Sequence, residues 1–529
     1  MRPYPLIAFG LAMPLLVAAC ALDPAPESAL LTPVAVGERL VAGETRTLDD
    51  SVTGRLLVVT PADGVSGEPE ALPLSGPPTR VAAIPGARAA LALARETRTV
   101  DLVDLTGAES TRTFDVGAPF EALSVSEAGD YALAWFPPAT ASAVFHNENE
   151  VALLDLASGV AAEDAVSRRT LPSLGGAPRH VAFSPAVAGP DGSDRRYVFA
   201  LSDEHVAILA ADAPERRERS VPLVSLTTGG DRTPREVVFG TDVDTRGVET
   251  LWAIVTTAEA NAVYALALTA RASAPAGEPD FDVTLSQLSG IGPGGAATLV
   301  SLPDAAGGLA RLATLSTNPG AGTVTLTDVR TATGRTARLT TGLDRVVVFE
   351  GADGGTEALI YASLRGTSTF HVMDIEAFAA GDARAFRTRT TREPFSRVLP
   401  IPGSTRFVVL KDGATDAVGI LDADTDRVAG FGRTGAIRDL RLAPELGRLY
   451  ALTSVDGADF LVSVDLADLH PEVAAVPLGG EALFTLPSAG TVATWSAAAG
   501  GTLVLWPALE TRGDNAFAMP GLALTGLLQ

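Results

Sequence analysis

Residues 177–185 read APRHVAFSP, and they are followed by YVFALS at 197–202 and HVAILAAD at 205–212. Each run is short, rich in branched and small apolar residues, and bounded by Gly, Pro, Asp or Ser, which is typical of β-strands joined by tight turns. The same three runs recur as AIRDLRLAP, RLYALT and FLVSVDL within residues 436–466. This recurrence predicts a unit of short antiparallel strands that is repeated along the chain.

Two markers extend the repeat. A proline that follows an apolar or small residue ends the first run of a unit, and it occurs at Pro85, Pro185, Pro303, Pro402, Pro444 and Pro487, of which the last three lie 42 and 43 residues apart. An aspartate closes the third run, at Asp104, Asp155, Asp328, Asp374, Asp422 and Asp465. Aspartate suits this place because its carboxylate accepts a hydrogen bond from the backbone amide two residues on and so starts a turn. A fourth strand usually follows, as at residues 427–431.

Four antiparallel strands in each unit resemble the YVTN-type and WD40-like repeats of bacterial β-propellers, although the Gly-His and Trp-Asp pairs of true WD40 repeats are missing. The units start near residues 78, 118, 177, 233, 292, 343, 394, 436 and 481. Residues 39–77 are expected to add strands that close the ring. Because propellers commonly have four to eight blades, we expect an all-β propeller of about eight four-stranded blades, within a range of seven to nine.

The N-terminus has the features of an export signal. A short start with Arg2 precedes an apolar run over residues 6–19, which is too short to span a bilayer comfortably. The sequence VAAC at 17–20 resembles the cleavage box of bacterial lipoproteins. The resemblance implies that Cys20 is diacylated and becomes the new N-terminus, and acyl chains of this kind would hold the protein on a membrane.

These features divide the chain into three parts. Residues 1–19 are expected to be the lipoprotein signal peptide, residues 20–38 the lipidated N-terminus with a Pro-rich tether, and residues 39–529 the β-propeller domain. In the lipoproteins of Gram-negative bacteria an aspartate after the cysteine usually retains the protein in the inner membrane. Ala21 stands there, so we expect a lipid-anchored protein of the cell envelope in the outer membrane, facing the periplasm or the cell surface.

The composition excludes some classes of function. The chain of 529 residues carries 40 Lys+Arg against 63 Asp+Glu, a formal net charge of -23. Nucleic acid is therefore not an expected partner, because binding to phosphates requires a basic face. Cys20 is the single cysteine, which excludes internal disulfides and metal clusters held by thiolates.

Common motifs of hydrolytic catalysis and triphosphate binding are missing from the sequence. It contains no GxSxG elbow, no HExxH and no GxxxxGK[ST] loop. The five histidines, His146, His180, His205, His371 and His470, are dispersed along the chain. We therefore expect no cofactor and no metal centre.

One enzymatic alternative comes from a second resemblance. Residues 178–185, PRHVAFSP, with the strand end at 197–204 resemble a region of the propeller lactonases of the 6-phosphogluconolactonase type. In that family the corresponding side chains point into the sugar-lactone pocket. The resemblance implies a hydrolase in which Arg179, His180 and Glu204 are the catalytic residues.

Two hypotheses of function follow. The first is a membrane-anchored lipoprotein whose propeller is a non-catalytic scaffold and binds a protein or glycan partner, or another ligand, through the loops of one end face. Its contact with the membrane is the lipid on Cys20. The second is the propeller lactonase, which requires Arg179, His180 and Glu204 to converge on one pocket.

Overall fold

A computed structural model describes residues 27–520 and 522, with short gaps in between. The gaps are residues 49, 62–68, 107–109, 139–146, 158, 173–175, 224–232, 245, 258–262, 289–290, 293, 303–310, 364–366, 412–416, 426–427, 434 and 478. Cys20 and the predicted signal peptide lie outside the described residues.

The described residues form ten antiparallel sheets of four or five strands, which we number as blades in chain order, and one two-stranded ribbon. Blade 1 comprises Glu27–Leu30, Val34–Val36, Arg39–Leu48, Ser51–Val59 and Glu70–Pro73. Blade 2 comprises Arg80–Ala83, Ala89–Ala94, Thr99–Asp104 and Thr111–Asp115. Blade 3 comprises Ala122–Val125, Tyr131–Trp135, Glu150–Asp155 and Val166–Thr170. Blade 4 comprises His180–Phe183, Tyr197–Ser202, His205–Ala210 and Arg219–Pro222, with an added ribbon of Val187–Ala188 and Asp194–Arg195. Blade 5 comprises Pro234–Val243, Glu249–Thr257, Val263–Ala270 and Phe281–Leu288.

The second half of the chain repeats the same order of strands. Blade 6 comprises Ala297–Leu302, Arg311–Asn318, Thr323–Asp328 and Gly334–Arg338. Blade 7 comprises Arg345–Glu350, Thr356–Tyr361, Thr367–Asp374 and Phe386–Phe395. Blade 8 comprises Arg397–Pro400, Arg406–Lys411, Ala417–Asp422 and Val428–Arg433. Blade 9 comprises Ala436–Ala443, Arg448–Val455, Ala458–Asp465 and Pro471–Ala475. Blade 10 comprises Ala482–Leu486, Thr491–Ser496, Thr502–Pro507 and Phe517–Met519.

The blades are arranged as a β-propeller. First strands of most successive blades contact one another, so they surround the central channel, and blade 10 contacts blade 1 in the same way through Ala482–Leu486 and Val34–Val36. We call the end of the ring at which each first strand begins and each second strand ends the upper face, and the opposite end the lower face. Loops of both faces are available for binding, as is usual in propellers.

Burial follows the position of a strand within its blade. Second and third strands pack against neighbouring blades on both sides, and therefore they are continuous apolar runs, as in Tyr197–Ser202, in which all six residues are buried. Fourth strands, such as Thr111–Asp115, alternate because their outer side faces solvent. The predicted all-β propeller of four-stranded blades is confirmed in its class.

The aspartate marker lies where it was expected, whereas Pro303 of the proline marker lies outside the described residues. All six aspartates are the last residue of a third strand. In Asp104, Asp155, Asp328, Asp422 and Asp465 a side-chain oxygen accepts a hydrogen bond from the amide two residues on. Asp374 instead caps the helix Ile375–Ala380, where it accepts from the Ala377 amide at 2.8 Å.

The number of blades differs from the prediction. All nine predicted unit starts lie at, or within five residues before, the first strand of blades 2 to 10. The additional blade is blade 1, which contains the segment that was expected only to add closing strands. Glu27–Leu30 and Val34–Val36, which the sequence placed in the tether, both pair with Arg39–Leu48 and together form the first strand of blade 1. Pro33 lies between them, and since proline donates no backbone hydrogen bond it interrupts a strand.

The ring closes without a shared sheet. Blade 1 and blade 10 are each made from one continuous stretch of chain, and they meet through side chains: Leu40 and Leu57 pack with Trp495 and Leu505. Leu522 is buried in the same cluster, and its amide donates to the Gly501 carbonyl at 3.0 Å. Closure therefore depends on apolar packing.

Helical segments are few. Besides Ile375–Ala380, the described residues contain short 3-10 turns at Pro444–Leu446, Pro487–Ala489, Ala498–Gly500 and Gly513–Asn515. None of the helices in the described part of the chain has the length and apolar character needed to cross a membrane.

Candidate functional site

A cavity of about 180 Å³ opens on the upper face between blades 8 and 9. The first strands of these two blades approach each other less closely than those of the other neighbouring blades. The cavity is lined by Arg397 and Lys411 from blade 8, by Arg438, Asp439 and Arg441 from blade 9, and otherwise by aliphatic side chains. We call it the cationic pocket.

The sequence of blade 9 explains why the pocket opens here. Most first strands present small or branched apolar residues to the channel, as in Arg80–Ala83 and Ala122–Val125. The first strand of blade 9 instead carries charged side chains, and its register shifts between Ile437 and Asp439. A bulge re-aims side chains and bends the strand, and charged groups remain near solvent instead of packing against blade 8.

The segment before blade 10 and Asp459 of blade 9 fix the position of Arg438. Its Nη1 donates to the Gly480 carbonyl at 2.9 Å and lies 3.2 Å from Asp459 Oδ2. The Gly480 amide donates to the same Asp459 oxygen at 2.8 Å. The guanidinium is therefore held by two elements while its side chain stays 44% exposed.

Arg441 is held in a similar way. Its Nε donates to the Leu483 carbonyl at 3.0 Å, and its Nη2 lies 3.1 Å from Asp439 Oδ2. Asp439 in turn accepts from the Leu483 amide at 3.0 Å. Both arginines of blade 9 are thus positioned in advance, because each is held by a backbone carbonyl in or just before the first strand of blade 10 and by a carboxylate of blade 9.

The two cations of blade 8 have a different environment. Arg397 and Lys411 are exposed, and no ion pair within the described residues involves either of them. Burial raises the pKa of Tyr361, and the positive charges of Arg345 and Arg397 oppose this rise. Arg397 thus adds positive charge that no described carboxylate neutralises at contact distance.

A second cavity, of about 200 Å³, lies on the lower face between blades 6 and 7. It is lined by Arg311, Asp328 and Arg335 among others. Arg311 and Asp328 form an ion pair there at 3.8 Å. Its charge is thus more nearly balanced than that of the cationic pocket.

The residues of the lactonase alternative lie on the upper face of blade 4. His180 begins the first strand opposite Leu201, and Glu204 lies in the turn after the second strand with a φ of 64°. Arg179 forms a two-pronged ion pair with Asp203, in which Nη2 lies 2.7 Å from Oδ2. The structure brings the three residues to one end of one blade, on an exposed surface four blades along the ring from blade 8. The lactonase assignment stays a prediction.

The described histidines do not gather in one place. His180 and His470 are exposed, His205 is half-buried and His371 is buried, while His146 lies outside the described residues. Within the described ranges no group of three or more His, Cys, Asp and Glu side chains is arranged to hold a metal ion.

His371 gives a pH prediction. Its ring contacts the hydroxyls of Thr340 at 3.2 Å and Thr388 at 3.0 Å, and burial lowers its pKa. The unfolded chain, with a histidine pKa of about 6.5, therefore binds a proton before the folded chain does. We expect the free energy of unfolding to fall as the pH drops from about 6.5 through the lower folded pKa, by about 1.4 kcal/mol for each unit of difference between the two pKa values.

Urea unfolding of the wild type and of His371→Gln, at pH 7.5 and at pH 5, checks this. The variant should lose less stability than the wild type over this interval. Equal losses in the two proteins would exclude His371 as the cause.

Sequence reasoning missed the residues of the cationic pocket. A signal was present: Arg80, Arg345 and Arg397 occupy one register position, opposite Leu93, Tyr361 and Leu410. His180 takes the same position in blade 4. The prolines that end the first strands mark the repeat more regularly than the cations that begin them.

No protein-family model matches the sequence. The search of curated proteins gives no match either.

Solved structures are similar at low identity. A crystal structure of the eukaryotic initiation factor is 11% identical with a TM-score of 0.41, over 83% of this chain and 96% of that chain. The dihydro-heme d1 dehydrogenase NirN in complex with DHE is 12% identical with a TM-score of 0.36, over 73% and 72%. Apo AztD from Citrobacter koseri is 14% identical with a TM-score of 0.32, over 72% and 92%. These values assign no function to this chain.

Proposed function

We propose that this chain is a lipid-anchored β-propeller scaffold of the bacterial cell envelope, attached to the outer membrane through Cys20, and that it binds an anionic partner on its upper face. The cationic pocket is the observation that carries the binding part of the proposal. Four cationic side chains and one carboxylate surround it, on a chain whose formal net charge is -23. Such a local reversal of charge attracts and orients anionic ligands.

The chemistry of the pocket favours binding over catalysis. Its described lining contains no histidine, cysteine, serine or threonine, so a hydroxyl or thiol nucleophile with a histidine base is not found among the lining side chains. Asp439, the one acid, already accepts hydrogen bonds from the Leu440 and Leu483 amides. Arginine is a poor general base because it stays protonated.

The anchoring part of the proposal is tested with Cys20→Ser. We expect the wild type to incorporate labelled palmitate and to fractionate with membranes, and the variant to do neither, because acyl chains on this thiol supply the membrane affinity. The measurement is palmitate incorporation together with fractionation of the cell envelope.

A second variant serves as the control. Cys20→Ser combined with Ser51→Cys restores one thiol on an exposed strand of blade 1, and it should stay unlabelled. Membrane association of Cys20→Ser, or an unlabelled wild type, would refute the anchor.

A further inference from the structure

The charges of the cationic pocket point to the chemistry of its ligand. Arg438 and Arg441 each have one carboxylate at contact distance, whereas Arg397 and Lys411 have none among the described residues. An excess of positive charge therefore remains at the mouth of the pocket. Nearby like charges repel one another, and an anion that carries more than one negative charge relieves that repulsion best.

The geometry of the arginines favours an oxyanion. A guanidinium presents its N–H groups in a planar fork that matches carboxylate and phosphate oxygens. Arg438 uses Nη1 on Gly480 and Arg441 uses Nε on Leu483, which fixes both planes before a ligand arrives. Donors that are fixed in advance lose little conformational entropy on binding.

The size of the pocket limits what enters it. Its 180 Å³ corresponds to about six water molecules, at about 30 Å³ each. A single phosphate group fits this space. An oligosaccharide or a folded peptide does not, since pockets for whole ligands of that kind begin at about 300 Å³.

We propose that the cationic pocket binds a phosphate group through Arg397, Lys411, Arg438 and Arg441. This inference deepens the proposed function and rests on its statement that the upper face binds an anionic partner. The phosphate can belong to a soluble molecule, as a monoester or inorganic ion that carries up to two negative charges, or to a phospholipid headgroup, whose phosphodiester carries one. Both sources present phosphate oxygens to the arginines.

The single lysine of the chain provides a reporter. Reductive methylation of the full chain in detergent with ¹³C-formaldehyde places one labelled side-chain group on Lys411 and keeps its positive charge. Titration with inorganic phosphate should shift this NMR signal along a saturating curve. Sodium chloride at the same ionic strength should not, and acetate, with one charge, should bind at least about tenfold more weakly than phosphate.

Two variants connect the signal to the pocket. Arg397→Gln should weaken phosphate binding at least about tenfold, because it removes a cation that has no described carboxylate partner. Arg219→Gln is the matched control, since Arg219 is an exposed arginine on the outer strand of blade 4, and it should leave binding unchanged. Calorimetry on Lys411→Gln, which needs no methyl reporter, should show the same loss.

Vesicles distinguish the two sources of the phosphate. If a phospholipid is the ligand, the Cys20→Ser protein should bind phosphatidylglycerol vesicles better than phosphatidylcholine vesicles, and Arg397→Gln should abolish the difference. If the ligand is soluble, phosphate binds and the vesicles do not differ. Three results would overturn the proposal: an NMR shift that only follows ionic strength, acetate that binds as tightly as phosphate, or an Arg397→Gln variant that binds phosphate as well as the wild type. None of these results bears on the lipid anchor.

Discussion

Replacing Asp101 with alanine is expected to lower the free energy of unfolding by about 3–5 kcal/mol. The carboxylate is fully buried in blade 2, where Oδ2 accepts from the amide and the hydroxyl of Ser75 at 2.7 and 2.8 Å. Oδ1 accepts from the Thr113 hydroxyl at 2.6 Å. Ser75 follows the outer strand of blade 1, so this one side chain joins two blades. Alanine would leave three donors without this acceptor.

Chemical denaturation of the wild type and of two variants measures the effect. Asp115→Ala is the matched control, because Asp115 is an exposed aspartate of the same blade that accepts one backbone hydrogen bond, from Gly117. It should cost about 1 kcal/mol or less. Asp101→Asn should also be destabilising, since the amide group presents N–H to a donor. Equal effects of Asp101→Ala and Asp115→Ala would contradict the role given to Asp101.

Replacing Trp495 with alanine is expected to cost about 3–5 kcal/mol as well, through the cavity and the lost apolar burial. Trp495 is 1% exposed and packs in the cluster that closes the ring between blades 1 and 10. Because blades 1 and 10 are not consecutive in the chain and are held together only by packing, the loss should be felt most by these two terminal blades. Chemical denaturation measures the loss in the free energy of unfolding, and hydrogen exchange shows which blades lose protection.

Trp506 provides the control within the same blade. It is also fully buried, but it packs against blade 9 across an ordinary interface. Trp506→Ala should raise exchange in blades 9 and 10, whereas Trp495→Ala should raise it in blades 1 and 10. If both variants raised hydrogen exchange in the same blades, the contact between blades 1 and 10 would not be a separate point of weakness.

The sequence predicted the strands well because the repeat has strict local chemistry. Asp104, Asp155 and Asp465 end third strands for a reason that involves three neighbouring residues only, the turn that their carboxylates start. Prolines such as Pro85 and Pro185 stop the first strands for an equally local reason. Signals of this kind can be read from one sequence without knowledge of distant contacts.

The number of blades could not be read in this way. Glu27–Leu30 and Val34–Val36 are two short pieces separated by Pro33, and each pairs with a different part of Arg39–Leu48. A stretch with several prolines is typical of an extended tether, and only the pairing shows that it is a strand. The common range of four to eight blades also favoured a smaller ring than the ten of the described chain.

The cationic pocket was unpredictable for a different reason. Arg397 and Arg438 belong to neighbouring blades and are 41 positions apart in sequence, so their proximity depends on the ring. The composition did not predict a cationic site, since the overall charge is strongly negative. An average over the whole chain conceals a local cluster of the opposite sign.

The entry of the chain into blade 1 determines how the ring would stand on a membrane. Glu27 pairs with Thr47 near the upper end of the blade, so the described chain begins at the upper face. If Cys20 carries the lipid, it lies seven residues before Glu27, and at about 3.6 Å or less per residue the tether between them is at most about 25 Å long. A tether this short would keep the cationic pocket close to the headgroups. The effective concentration of the pocket at a phosphate on that membrane would then depend on the length of the tether and hardly on the amount of protein in the cell.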